Sequence, residues 1–313
     1  MKQNIKIAII GECMIELSRN NEGLRQGFGG DTLNTAIYLS RLLSGKNIEI
    51  QYVTCLGEDE YSTMMLNTWN QEKLRTDLVL RTPTRLPGLY FIETDPTGER
   101  RFHFWRGESA AKLLFSHEGT PDLCSTLSGF DALYVSGVTL GILDESSLNK
   151  LFAVLEACRS KGGQIIFDNN YRQVLWASPL AARKVYARML ALTDMAFLTL
   201  DDENQVWGES TPDQAITRSI EAGVKEIIIK RGSQSCIAWG DGQKFDIPAY
   251  LIEASKVVDS TAAGDSFSAG YMASRFRNGD VPSSVACGHQ LASRVIQYPG
   301  AIIPATAMPG IPC

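Results

Sequence analysis

Val257-Val258-Asp259-Ser260-Thr261-Ala262-Ala263-Gly264-Asp265-Ser266-Phe267 passes from an apolar pair, through small residues, into a helical pattern. The apolar pair reads as a short strand. Small side chains let a ligand approach the backbone, and the first N–H groups of a helix have no internal partners. With the helix dipole they favour an anion such as phosphate. Asp265 then has two readings. It is a capping residue of an ordinary helix start. Alternatively, its carboxylate takes a proton from an attacking hydroxyl while the neighbouring N–H groups stabilise a transferring phosphoryl group.

The same strand-to-helix step recurs upstream. Ile5–Ile10 precedes a helical pattern at 32–43, and 48–54 precedes one at 58–73. Then come a strand at 132–135, a helix at 148–158, a strand at 165–167, a helix at 181–192, a strand at 195–198, a helix at 215–222 and a strand at 227–230. This alternation predicts a mainly parallel sheet covered by helices. The unbroken run Ile227-Ile228-Ile229 predicts a central strand covered on both faces. Two regions depart from the rhythm. Residues 88–94 and 100–106 read as strands joined by Asp95-Pro96-Thr97-Gly98, and with 14–28 they predict a small β appendage. Residues 237–239 and 244–247 read as a second hairpin around Gly240-Asp241-Gly242. Helical patterns at 265–278 and 283–297 close the chain before a Gly/Pro-rich tail.

With 313 residues, 44% hydrophobic and 21% charged, the chain reads as one globular unit, 1–313. No apolar run reaches the roughly 18 residues of a membrane helix, and the short N-terminal run does not resemble a signal peptide. A net charge of -5 without a basic patch argues against nucleic acid. Seven scattered cysteines, with no C-x-x-C pair, argue against a zinc site or a disulfide framework. A reducing, cytoplasmic location is expected, with Cys313 exposed at the tail.

Read with its neighbours, the opening segment resembles the D-T-x-G-A-G-D signature of the pfkB, or ribokinase-like, carbohydrate kinases. Asp259, Thr261, Ala263, Gly264 and Asp265 match it, and Ala262 replaces a glycine. Gly29-Gly30-Asp31-Thr32-Leu33-Asn34-Thr35-Ala36 is similar to that family's G-G-x-x-x-N-x-A motif, Gly57-Glu58-Asp59 to its G-x-D element, and Lys230-Arg231-Gly232-Ser233 to its K-x-G segment. The resemblance covers nearly the whole chain. It implies a three-layer α/β/α fold with a mainly parallel sheet and a β-sheet lid at about 13–28 and 86–108. It also implies Asp265 as catalytic base, an anion hole at Ala262, Ala263 and Gly264, and ATP with Mg²⁺. Asn170, Lys230, Gly232, Ser233, Gly264 and His289 would bind ATP. A monovalent cation and a homo-oligomer formed through the lid sheets are further implications.

Within the family, the segments are most similar to those of kinases acting on 2-keto-3-deoxygluconate. These segments are 29–34, Phe104-Trp105-Arg106 with Ser109-Ala110-Ala111, Asp168-Asn169-Asn170-Tyr171-Arg172 with Leu175-Trp176, and 261–265. A sugar acid carries a carboxylate, which a guanidinium matches with paired hydrogen bonds. The resemblance implies that Arg106 and Arg172 face the substrate, which this chemistry supports, and that Gly30, Asp31, Asn34, Tyr90, Phe104 and Asp265 join them. The plainer readings are surface arginines, a cross-strand packing Tyr90 and an Asn34 on a polar helix face. Phe104 stands where related kinases carry Tyr, and His103 beside it either compensates or points the other way. His117 and His289 read as structural, with an ATP contact open for His289. Metal ligands are not assignable, because the acidic run Asp201-Asp202-Glu203 does not keep the family's N-x-x-E spacing and reads as a solvated helix start. The alternatives are a kinase of a neutral sugar such as fructose or ribose, and a non-catalytic sugar or nucleotide sensor. A dinucleotide-dependent dehydrogenase is disfavoured, since Gly11-Glu12-Cys13 lacks the glycine fingerprint.

Overall fold

The computed structural model describes residues 4–20, 23–94, 100–208 and 210–310. Its main sheet has eight strands. In order across the sheet they are Gln243–Ile247, Cys236–Gly240, Glu226–Lys230, Met195–Thr199, Gln164–Asp168, Ala132–Ser136, Ile5–Ile10 and Ile48–Val53. Every neighbouring pair from Glu226–Lys230 to Ile48–Val53 is parallel. The hairpin formed by the first two runs antiparallel along one edge.

Helices cover both faces, so successive side chains of one strand enter different cores. Ile227 and Ile229 pack into one core and Ile228 into the other. This is why the strand is apolar without alternation. The helices Glu145–Ser160 and Pro179–Leu190 contribute to the first core. Asp31–Leu43, Ala263–Arg275 and Val281–Val295 contribute to the second. Cys55, Cys158 and Cys236 are buried in these cores. Burial pushes the Cys55 and Cys158 thiols up to about 11, which leaves them unreactive.

A separate four-stranded sheet is ordered Gly23–Gly29, Met14–Asn20, Leu89–Thr94 and Arg100–Trp105. It occupies the segments expected for a lid. Its register sets Tyr90 between Glu16 and Phe104 on one face. The turn Asp95-Pro96-Thr97-Gly98 and Cys313 lie outside the described residues. A short parallel pair, Cys55–Gly57 with Leu80–Thr82, was not expected from the pattern.

Val257-Val258 is not a strand. The pair follows a short 3-10 turn, Ala254–Lys256, and its side chains are 44% and 55% exposed. The Val258 and Asp259 N–H groups both donate to the carbonyl of Ile296, at 2.8 and 3.1 Å. The segment is therefore tied to the end of a helix, with these two donors spent outside any sheet.

Candidate active site

The parallel strands end along one edge, and the loops leaving that edge carry most of the polar residues singled out above. Two helices open onto the same place. Asp31 and Asn34 occupy the first turns of Asp31–Leu43, and Asp265 lies in the first turn of Ala263–Arg275. The Asn34 side-chain amide donates to the Asp265 carboxylate at 2.8 Å, and the Thr35 hydroxyl donates to the Asp265 carbonyl at 3.4 Å. Desolvation pushes the Asp265 carboxyl up to about 7. The nearby Asp31 and Asp168 carboxylates add to that rise, while the Asn34 hydrogen bond and the Lys230 ammonium oppose it. Such a value suits a group that exchanges a proton near neutrality.

Ala262 caps this helix in the left-handed region, with φ 61° and ψ 14°. That is the conformation glycine adopts freely, and it explains why a glycine would suit the position. Of the anion hole expected at Ala262, Ala263 and Gly264, the Ala263 N–H is already engaged, donating to the Ser260 carbonyl at 3.2 Å. The Gly264 and Asp265 N–H groups belong to the first helical turn, which has no internal acceptor for them. A Cβ placed on Gly264 would lie 3.5 Å from the Lys230 ammonium, so that charge stands at the helix mouth. Lys230 is held by Asp168 at 2.7 Å, and Asp168 also accepts from the Ser268 hydroxyl at 3.0 Å. The second oxygen of Asp168 is buried without a partner. Gly232, with φ 62°, and the exposed Ser233 lie on the turn just beyond Lys230.

On the opposite wall, Asn170 donates to Asp31 at 2.5 Å. The turn carrying Asn170 is braced from beneath. Asn169 donates to Glu203 at 3.1 Å, and Arg218 donates to the other Glu203 oxygen at 2.5 Å. The acidic run is thus not a solvated helix start. Asp202 and Glu203 are 8% and 1% exposed, because the helix Leu200–Trp207 turns them inward under the 169–172 loop. Burial pushes the Asp202 carboxyl up to about 6, against the pull of Arg172 and Lys230. The Arg172 guanidinium is half-exposed at 3.9 Å from Asp202, and it donates to the Tyr171 carbonyl at 2.8 Å. Among the described residues, no group of three or more His, Cys, Asp or Glu side chains is arranged to hold a metal ion.

At the end of the four-stranded sheet, Arg106 is largely buried and pairs with Glu12, which is 2% exposed. Tyr90 is buried and its hydroxyl donates to Glu16. Phe104 packs tilted beside Tyr90 with ring centroids 5.8 Å apart, and the Arg106 guanidinium lies 5.9 Å from the Phe104 ring. His103 contacts Glu93 at 3.1 Å, and alternation places it on the other face of the sheet from Tyr90. It offers nothing in place of the hydroxyl that Phe104 lacks. Gly29 and Gly30 are required by crowding. A Cβ on Gly29 would collide with the Tyr90 hydroxyl, and one on Gly30 with the Glu12 carbonyl.

His289 is 8% exposed, packs edge-on against Phe267 at 5.1 Å and leaves Nε2 buried without a partner. Burial pushes its pKa down, against a hydrogen bond with the Ile247 backbone. His117 contacts the Arg81 carbonyl through Nε2 at 2.9 Å and accepts from the Gly119 N–H at 3.0 Å, which is a structural role. Glu12, Glu16 and Asp168 are the residues that sequence reasoning missed. For Glu12 and Asp168 a signal was present, since each is an acidic residue at the end of an apolar strand.

The family model for pfkB family carbohydrate kinases matches residues 4–308. The chain is 50% identical over 305 residues to a 2-dehydro-3-deoxygluconokinase of Escherichia coli K12, covering 97% of this chain and 99% of that protein. It is 30% identical over 291 residues to a fructokinase of Klebsiella pneumoniae, covering 90% and 88%. Its fold matches an Escherichia coli structure assigned as a ribokinase II in complex with ATP and Mg²⁺. The TM-score is 0.81 at 21% identity, covering 95% of this chain and 94% of that one.

Proposed function

This chain belongs to the pfkB family of carbohydrate kinases, and we propose that it transfers the γ-phosphoryl group of ATP to the terminal hydroxyl of 2-keto-3-deoxygluconate, giving the 6-phosphate. The observation that carries this reading is Asp265, at the mouth of a helix and held by Asn34, in a chain half identical over 97% of its length to a kinase named for that substrate. Asp265 takes the hydroxyl proton as the oxygen attacks phosphorus. The Gly264 and Asp265 N–H groups and the Lys230 ammonium face the charge that develops on the phosphoryl oxygens. Asp31, Asn34, Gly30, Tyr90, Phe104, Arg106 and Arg172 surround the sugar acid. Asn170, Gly232, Ser233 and His289 border the nucleotide.

Mg²⁺ accompanies ATP and neutralises phosphate charge. Of the acidic groups gathered there, Asp168 would hold such an ion through its waters, since its second oxygen is buried without a partner. The lid closes over the sugar and limits transfer to water. Its outer face exposes Leu24 and Trp105, each 63% exposed, and we read that face as a contact for a second copy of the chain. Replacing Trp105 with Glu would then lower the mass measured by analytical ultracentrifugation.

A coupled ADP-release assay across sugars tests the activity. Turnover of the keto-deoxy acid is expected to exceed that of fructose, ribose and gluconate by a wide margin. Turnover of fructose or ribose without the acid would transfer the chain to the neutral-sugar kinases, and ATP binding without turnover of any sugar would make it a sensor.

A further inference from the structure

Two carboxylates of a single stretch of chain, Glu12 and Glu16, lie behind the two lid residues assigned to the substrate. Glu12 pairs with Arg106 and Glu16 accepts from Tyr90. The contacts join the start of the chain to the far lid strands, across 94 and 74 residues. Both sit against the glycine pair that precedes Asp31, since Tyr90 crowds Gly29 and the Glu12 backbone crowds Gly30.

The Glu16 contact has a chemical consequence. An ionised carboxylate has no proton to give, so the phenol must be the donor in that bond. The single Tyr90 proton is then committed to Glu16, and only oxygen lone pairs remain for the cleft. A group with lone pairs alone is a poor neighbour for a substrate carboxylate or ketone. It is a good acceptor for a substrate hydroxyl. Arg106 has the opposite character, since a guanidinium only donates.

We propose that Glu16 is a specificity-determining positioning residue: by holding the Tyr90 proton it makes Tyr90 an obligate acceptor, which reads a non-reacting hydroxyl of the sugar acid. Arg106, held by Glu12, is left to read the carboxylate end. The lid thereby distinguishes the two ends of the substrate by hydrogen-bond polarity. This inference rests on the kinase reading above, but it fails separately from it.

The test is a double-mutant cycle on Glu16 and Tyr90, using the full-length protein and 2-keto-3-deoxygluconate with saturating ATP. Glu16→Gln keeps the shape but offers N–H groups, so the phenol is free to turn its proton to the cleft. Its KM for the acid is expected to rise about tenfold, the scale of one misdirected hydrogen bond, with kcat within about threefold of the parent. Tyr90→Phe is expected to show a similar rise. In the Tyr90→Phe background, Glu16→Gln is expected to add nothing, because there is no phenol proton left to direct. Equal effects of Glu16→Gln in both backgrounds, or no effect in the parent, would overturn the proposal. Glu16→Asp, an acceptor without N–H groups, separates polarity from packing, and it is expected to recover most of the KM. A Glu16→Asp variant as impaired as Glu16→Gln would also overturn it. If the parent enzyme itself does not turn over the acid, the substrate reading fails instead.

Discussion

Asn34 donates its side-chain amide to the Asp265 carboxylate at 2.8 Å, joining residues 231 positions apart at the mouths of two neighbouring helices. The bond favours the ionised form of a carboxyl that burial and two other carboxylates push the opposite way. Asp265 is thereby poised near neutrality.

Replacing Asp265 with Asn removes the proposed base while keeping the shape. We expect kcat to fall by roughly 10²–10⁴-fold, with nucleotide affinity nearly unchanged, as measured by isothermal titration with a non-hydrolysable ATP analogue. An unchanged kcat would remove Asp265 from the mechanism.

As the proposed base, Asp265 must be ionised to work. In the parent enzyme kcat/KM is therefore expected to rise as pH increases through about 7, the value to which Asp265 is pushed. Asn34→Leu deletes a hydrogen bond that favours the carboxylate, so the acid limb of that profile should move to higher pH. A limb that stays in place or moves down would contradict the role given to Asn34.

The same group links stability to pH. The folded-state pKa of about 7 lies above the ordinary value of 3.8, so the folded chain holds this proton more tightly than the unfolded one. That contribution is full below the ordinary value and is lost as pH rises through about 7. Asp265→Asn has no charge to bury. It should be more stable than the parent at pH 8, by roughly 1–3 kcal/mol, with the advantage shrinking toward pH 4. Thermal unfolding at the two pH values measures the difference.

Ala262 carries a methyl group at φ 61°. Ala262→Gly relieves about 1–2 kcal/mol of left-handed strain but gains unfolded-state freedom. A net stabilisation of up to about 1 kcal/mol by urea denaturation is expected. Ala262→Val, branched at Cβ, should destabilise by more than that.

Helix Ala263–Arg275 is held against Val281–Val295 by glycines. A Cβ on Gly288 would lie 2.9 Å from two ring carbons of Phe267, and one on Gly270 would lie 2.8 Å from the Cys287 carbonyl. Gly288→Ala should cost about 1–3 kcal/mol in denaturant unfolding. It should also lower kcat, because the helix it displaces carries Asp265. A Gly288→Ala variant with parent stability and rate would mean that the helices separate without consequence.

The layered fold was legible because periodicity is local. Ile5–Ile10 and the Ile227-Ile228-Ile229 run carry their burial in their own composition, and the helices follow from spacing within a dozen residues. Val257-Val258 misled for the same reason, since apolar character alone does not show that the Ile296 carbonyl had claimed the backbone. The acidic run at 201–203 misled in the same way. Burial of Asp202 and Glu203 depends on which side of their helix meets the 169–172 loop.

By itself, the sequence determined the alternation of strands and helices, the two segments that make the small separate sheet, and Asp265 in the first turn of a helix. These depend on neighbours within a few residues, where propensity and backbone hydrogen bonding act. The tertiary structure alone decided that Asn34 holds Asp265, that Asp168 holds Lys230, and that Glu12 and Glu16 stand behind Arg106 and Tyr90. Those pairs are 62 to 231 residues apart along the chain. Their partners are chosen by the order and register of the sheet, which brings distant strand ends to one edge where buried polar groups must find one another.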